Sequence, residues 1–200
     1  MDASPLFSSS SSSKVDQAQI QALVSACQEG DMEAFGKLYD IYIDSIYRYV
    51  YYRIDREEVE DVVETVFVRV WENIDKYRPT QHPFSSWLFR IAHNLVVDHY
   101  RFHRKHISLN EQLPAGLDRL ENDPMEWAGQ RLNKKYLREA LAQLKDSYQQ
   151  VLVFKYILGF SHQEIAVILQ RNLPNIRILQ YRALRALRSI LEERGLQCND

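Results

Sequence analysis

Arg90, Asn94, Val97, Arg101 and Arg104 are spaced four, three, four and three apart, so on a helix they fall on one stripe. Phe89, His93 and Tyr100 fall beside them. Guanidinium groups that hold phosphates, an amide that can bond a base edge and rings that stack on bases belong to a nucleic-acid surface. A second concentration lies further on, where Arg171, Arg177, Arg182, Arg185 and Arg188 occur before Leu191 without a single acid between. There Ile176, Leu179, Ala183, Leu187 and Ile190 make a buried stripe. Arg177, Ile178, Tyr181, Arg182, Arg185 and Arg188 take the opposite arc, suited to a major groove and its flanking phosphates.

Enzyme chemistry finds less support. His99 and His103 stand four apart, with His106 and Asp98 nearby, but one helix supplies too few separated ligands for a closed metal site. There is no glycine-rich phosphate loop and no Ser, His, Asp order. The expectation is a non-enzymatic chain with no metal and no cofactor.

The elements that must position these residues are helices throughout. Val15 to Cys27 has apolar residues at helical spacing and stops at Gly30. Asp31 offers a cap for a long helix reaching Ile54, with Ala34, Phe35, Leu38, Ile41, Tyr42, Ile46 and Tyr49 on one side. After Asp55 and Arg56, the residues Val59, Val62, Val63, Val66, Phe67, Val70 and Ile74 fit a helix despite their branching, because they do not alternate as a strand would. Asp75 to Ser86 carries two prolines and predicts a loop, with Ser85 or Ser86 capping the helix that follows. That helix has a core face of Trp87, Leu88, Ile91, Leu95 and Phe102.

Residues 107–130 change character, with two prolines, two glycines and five acids against Arg119, and read as an acidic linker. Two helices then end at Gly159, Ser161 and Glu164 form a capping box, and Asn172 caps the last helix with Pro174 in its first turn. Short helix, turn and long basic helix outline a helix-turn-helix. The fold class is therefore all-α: a serine-rich tail at 1–14, a helical domain at 15–106, the linker at 107–130 and a helix-turn-helix domain at 131–200.

Charge is distributed unevenly beneath a net of -2. Between Glu29 and Glu64 there are eleven acids against four bases, and the arginine block follows far downstream. Cys27 and Cys198 stand near opposite ends and form no disulfide framework, which fits a reducing cytoplasm. No apolar run approaches the roughly 20 residues of a membrane helix, and no signal peptide opens the chain, so membrane insertion is not expected.

In this order the parts resemble a bacterial RNA polymerase sigma factor, sigma-70 family, of the extracytoplasmic-function group. DMEAFGKLYDIY resembles the opening helix, EDVVETVFVRVW the core-polymerase-binding helix, FSSWLFRIAHNLVVDHYR the minus-10 helix, and LGFSHQEIAVIL with RALRAL the minus-35 helix-turn-helix. The resemblance implies that Asp61, Phe67, Arg69 and Trp71 lie in the polymerase-binding motif. It implies that Arg90, Asn94, Asp98 and Arg101, joined by Arg104 on the same stripe, meet the minus-10 element. Arg171, Arg177, Ile178, Tyr181, Arg182 and Arg185 would meet the minus-35 element. The loop from Tyr77 to Ser86 would hold an extruded promoter base, with Tyr77, His82 and Phe84 supplying polar groups and a stacking surface. Implied partners are core RNA polymerase, through its beta-prime clamp and beta subunits, promoter DNA and an anti-sigma factor. The acidic linker would lie where nascent RNA runs.

Some residues depart from that family's pattern. Glu64-Thr65 stands where Gln-Glu is usual, Gln170 where glycine is common, and Ile178-Leu179 where a polar, basic pair is common. The other reading of the same residues is a stand-alone helix-turn-helix regulator that binds duplex DNA as a symmetric dimer without polymerase.

Overall fold

The computed structural model describes residues 17–79, 82–107 and 128–193, with side chains described except at 103–107 and 128–134. The expected serine-rich tail and the linker between 108 and 127 lie outside the described residues. Every described element is helical.

Helix α1 (Gln17–Gln28) buries Ile20, Val24 and Cys27 and ends at Gly30, whose φ of 94° is the left-handed turn glycine accepts without strain. Asp31 caps α2 (Met32–Tyr51), its Oδ1 accepting from the Glu33 and Ala34 amides at 2.8 and 3.1 Å. After a 3₁₀ turn at Arg56–Glu58, α3 (Val59–Asn73) buries Val59, Val63, Val66, Phe67 and Val70. Burial of that stripe outweighs the modest helix penalty of branched side chains.

Helix α4 (Phe84–Ile107) starts two to three residues earlier than expected. Ser85 and Ser86 therefore lie in its first turn, and the Ser86 hydroxyl is buried without a hydrogen bond among the described residues. This corrects the expectation that a serine caps the helix: the chain enters through Pro83, which needs no amide partner, and its carbonyl accepts from the Ser86 amide at 3.0 Å. The expected core stripe is also rotated. Leu88, Phe89, Ala92 and Val96 are the buried apolar residues after its first turn, Trp87, Ile91 and Leu95 are half-buried, and Phe102 is 64% exposed.

The second half consists of α5 (Ala128–Ala142), α6 (Asp146–Leu152) continuing into a π-turn at Val153–Ile157, α7 (His162–Ile168) and α8 (Leu173–Glu193). The halves pack on one another, α4 against α7 and α2 against the π-turn, and their buried side chains form one continuous cluster.

Candidate nucleic-acid interface

Helix α4 is covered on two sides. It packs on α2 and α3 within its own half, while Phe89 packs edge-on against Phe160 at 4.9 Å and Phe154 at 6.0 Å from the second half. Tyr49 of α2 stacks on Phe154 at 4.7 Å, completing a four-ring cluster between the halves. Phe89, placed by spacing beside the cationic stripe, is thus 2% exposed and serves packing.

Polar contacts follow the same seam. Helix α2 ends without a glycine, and the carbonyls that follow it find partners elsewhere. Gln149 Nε2 donates to the Tyr52 carbonyl at 2.7 Å, Arg138 Nη2 to the Ile54 carbonyl at 2.9 Å, and the Tyr100 hydroxyl to the Arg53 carbonyl. Arg138 also lies over the Tyr51 ring at 4.4 Å. The Arg53 side chain is fully buried and forms an ion pair with Asp146, whose other carboxylate oxygen accepts from Gln150 Nε2 at 2.5 Å. His93 stands 3.2 Å from the Tyr49 hydroxyl through Nδ1. Burial, then the nearby Arg53 charge, pushes the His93 imidazole down to about 4, so it is neutral at pH 7 and shares one hydrogen bond with the tyrosine hydroxyl.

The expected minus-10 residues divide accordingly. Arg90 is half-buried and donates from Nη2 to the Val167 carbonyl at 2.7 Å, tying α4 to α7. Asn94, Asp98 and Arg101 are exposed and, with His93 and Val97, line a cleft of about 350 Å³ closed on its far side by Ile168, Leu169 and Gln170. Arg101 Nη1 is 3.5 Å from Asp98 Oδ1. The Arg104 side chain lies outside the described residues.

In the loop before α4, His82 is exposed, but Tyr77 and Phe84 are 5% and 3% exposed and meet each other at 5.3 Å. Trp87 covers both at 5.4 Å. Their ring faces are therefore spent on one another, which corrects the expectation that they offer a free stacking surface. Gln28 Nε2 fixes this segment by donating to the Ile74 and Tyr77 carbonyls, each at 2.8 Å. His99, considered above as a metal ligand, lies 2.9 Å from Glu58 Oε2 through Nε2, and no metal-binding group of three occurs among the described residues.

On α3 the four motif residues also divide. Asp61 and Arg69 are exposed, Trp71 is half-buried edge-on to Phe35 at 4.9 Å, and Phe67 is 6% exposed beneath Tyr39 at 4.5 Å. Val68, 49% exposed between Phe67 and Arg69, was not singled out from the sequence. Its signal was there: it is the apolar residue of α3 that falls off the buried stripe.

The helix-turn-helix is built as read. Ser161 and Glu164 form the capping box, and Asn172 Oδ1 accepts from the Asn175 amide at 2.9 Å. Gln170 in the turn takes a φ of 52°, the left-handed conformation for which a glycine would be the unstrained choice. On α8, Ile176 and Ala183 are fully buried, while Arg171 just before it and Arg177, Ile178, Tyr181, Arg182 and Arg185 along it are exposed.

Sequence comparison decides what this arrangement belongs to. The Sigma-70 region 2 family model matches residues 38–106, which is α2 through α4, and the Sigma-70 region 4 model matches residues 134–187, within α5 to α8. The ECF RNA polymerase sigma factor BldN of Streptomyces coelicolor is 32% identical over 179 residues, covering 89% of this chain and 68% of that protein. The chain belongs to the ECF sigma-factor family. SigW of Bacillus subtilis, another ECF sigma factor, is 29% identical over 187 residues, covering 88% of this chain and 99% of its own. The solved structure of CnrH in complex with the cytosolic domain of CnrY superposes with a TM-score of 0.67 at 26% identity, over 89% of this chain and 99% of that one. The described elements of regions 2 and 4 are all helices, and the seam between them is the one built around Phe89, Phe154 and Phe160.

Proposed function

We propose that this chain joins core RNA polymerase, directs it to particular promoters and traps the opened minus-10 strand. The observation that carries the reading is the presence in one chain, in sigma-factor order, of a region 2 and a region 4 that each present cations on a long helix. A stand-alone regulator would have no use for region 2.

Polymerase holds the outer face of α3, with Asp61, Val68 and Arg69 in contact and Phe67 and Trp71 shaping that face from beneath. Asn94, Asp98 and Arg101, with Arg90 and Arg104, meet the minus-10 strand, and His82 borders the place of an extruded base above the Tyr77, Phe84 and Trp87 cluster. Arg171, Arg177, Ile178, Tyr181, Arg182 and Arg185 meet the minus-35 duplex. The chain makes and breaks no covalent bond, needs no cofactor, and acts in the cytoplasm beside the chromosome. An anti-sigma protein binding regions 2 and 4 is its regulatory partner. Because Arg90 is engaged by Val167, and Ile168, Leu169 and Gln170 stand across the cleft from Asn94 and Asp98, the halves part before the minus-10 strand can lie along α4.

Run-off transcription with purified core polymerase tests this on a pool of genomic promoter fragments. Starts at particular sites that depend on the added chain are expected. A chain that binds duplex DNA but neither joins core polymerase nor directs a start would overturn the reading in favour of the stand-alone regulator.

A further inference from the structure

We propose that Ile178 reads the C5-methyl group of a thymine in the minus-35 element; this rests on the promoter reading above. At about 100° per residue, Pro174, Ile178, Tyr181 and Arg185 fall within about 60° of one another along α8. That line lies directly opposite the buried Ile176 and Ala183. Arg177 and Arg182 lie on either side of it, each about 70° from the centre. A helix docked with its buried stripe away from DNA therefore turns an apolar ridge to the groove floor and an arginine to each phosphate wall.

Ile178 is 49% exposed and Tyr181 64% exposed, in a segment from Arg171 to Leu191 that holds five arginines and no acid. The charge selects a polyanion rather than an apolar protein groove as the occupant of this face. Arg185 lies over the Tyr181 ring at 6.0 Å, so these two members of the exposed line lie together along the helix. Ile178 has no polar atom. Against a G·C pair it would strip water from donors and acceptors and replace none of their hydrogen bonds. The one apolar group on a base edge in the major groove is the thymine methyl. Ile178 thus favours an A·T pair at its position and disfavours G·C.

Holoenzyme assembled from core polymerase and the full chain tests this on a promoter from which it starts. Each thymine of the minus-35 element, on both strands, is replaced singly by deoxyuridine, which deletes only the methyl. One position, or two neighbours, is expected to lose about fourfold in binding, the weight of one buried methyl. Ile178→Ala is expected to lose about as much on the thymine template and to bind thymine and uracil templates equally. Equal binding of all templates by the unaltered chain, sensitivity that survives Ile178→Ala, or a minus-35 element without thymine on either strand would each overturn the proposal. A chain that directs no start even from the unmodified template would instead overturn the promoter reading, so the two failures are separate. Because Ile178 is exposed, thermal melts of the variant are expected to match those of the parent.

Discussion

Helices α4 and α8 have similar ingredients, arginines, aromatics and an apolar stripe, yet the fold uses them in opposite ways. Helix α8 is buried along one stripe and leaves its cationic arc in water, with Arg177, Arg182 and Arg185 all exposed. Helix α4 is covered on both sides, so its Arg90 is tied to the other half of the molecule and its His93 is engaged by Tyr49 of α2. The difference lies in what sits among the cations. Aromatic side chains on α4 bury large apolar areas when a partner surface is available, and the Phe154 and Phe160 rings supply one. On α8 the neighbours of Ile178 along its exposed line are a proline, a tyrosine and an arginine, and among the described residues no second helix covers them.

The largest expected break in this contrast is Phe154→Ala. It removes a fully buried ring that touches Tyr49, Phe89 and Phe160, at a cost of about 3–5 kcal/mol, read as a fall in the urea midpoint. If the rings bind the halves together, the same variant also brings α4 closer to the open state of α8, seen as tighter binding of single-stranded minus-10 DNA. An unchanged midpoint would show that the seam contributes little.

Asp146→Ala comes next, because it leaves the buried Arg53 guanidinium without its counter-charge. Since Asp146 is itself half exposed, a loss on the order of 2 kcal/mol is expected rather than that of a fully buried pair. Duplex binding at minus-35 should be untouched, because α8 takes no part in that ion pair.

Acid sharpens the comparison further. The His93 imidazole titrates near 6.5 when unfolded and is held down to about 4 in the fold, so the folded protein binds fewer protons across that window. Stability is therefore unaffected by His93 above about pH 6.5 and falls as pH drops towards 4, by at most about 1.4 kcal/mol per unit. His93→Leu should flatten that part of the profile in denaturation curves at pH 5 and pH 7. No change in slope would mean that water reaches the ring in spite of the packing.

The smallest effect is on α8. Arg182→Ala should weaken holoenzyme binding to promoter by several-fold and reduce the salt slope by about one, with the melting curve unchanged because the residue is exposed. Loss of stability instead would show that the arc is not open as described.

Much of this could be read along the chain because it depends on neighbours within a few residues. Asp31, the Ser161 and Glu164 box, and Asn172 all cap where spacing put them, and the stripe of Ile176 and Ala183 is the buried side of α8. In a helix that packs on one side only, periodicity assigns the faces. It misassigned α4 because a helix covered on two sides has no single stripe to find, so Phe102 was expected inward and Phe89 outward. Tyr77 was placed in the loop, where it lies, and Phe84 opens α4 instead, but whether a ring is offered or spent depends on Trp87 reaching across both.

The order of local signals along the chain determined the helices, their caps, the acidic and basic blocks and hence the family. Tertiary structure alone decided that Arg53 is buried, that Asp146 neutralises it 93 residues away, and that the carbonyls after α2 are satisfied by Gln149, Arg138 and Tyr100. The physical reason is that capping and periodicity act through the backbone over three or four residues. A buried charge and an unpaired carbonyl accept whichever donor or acceptor the packing brings within reach, and nothing in their own neighbourhood names it.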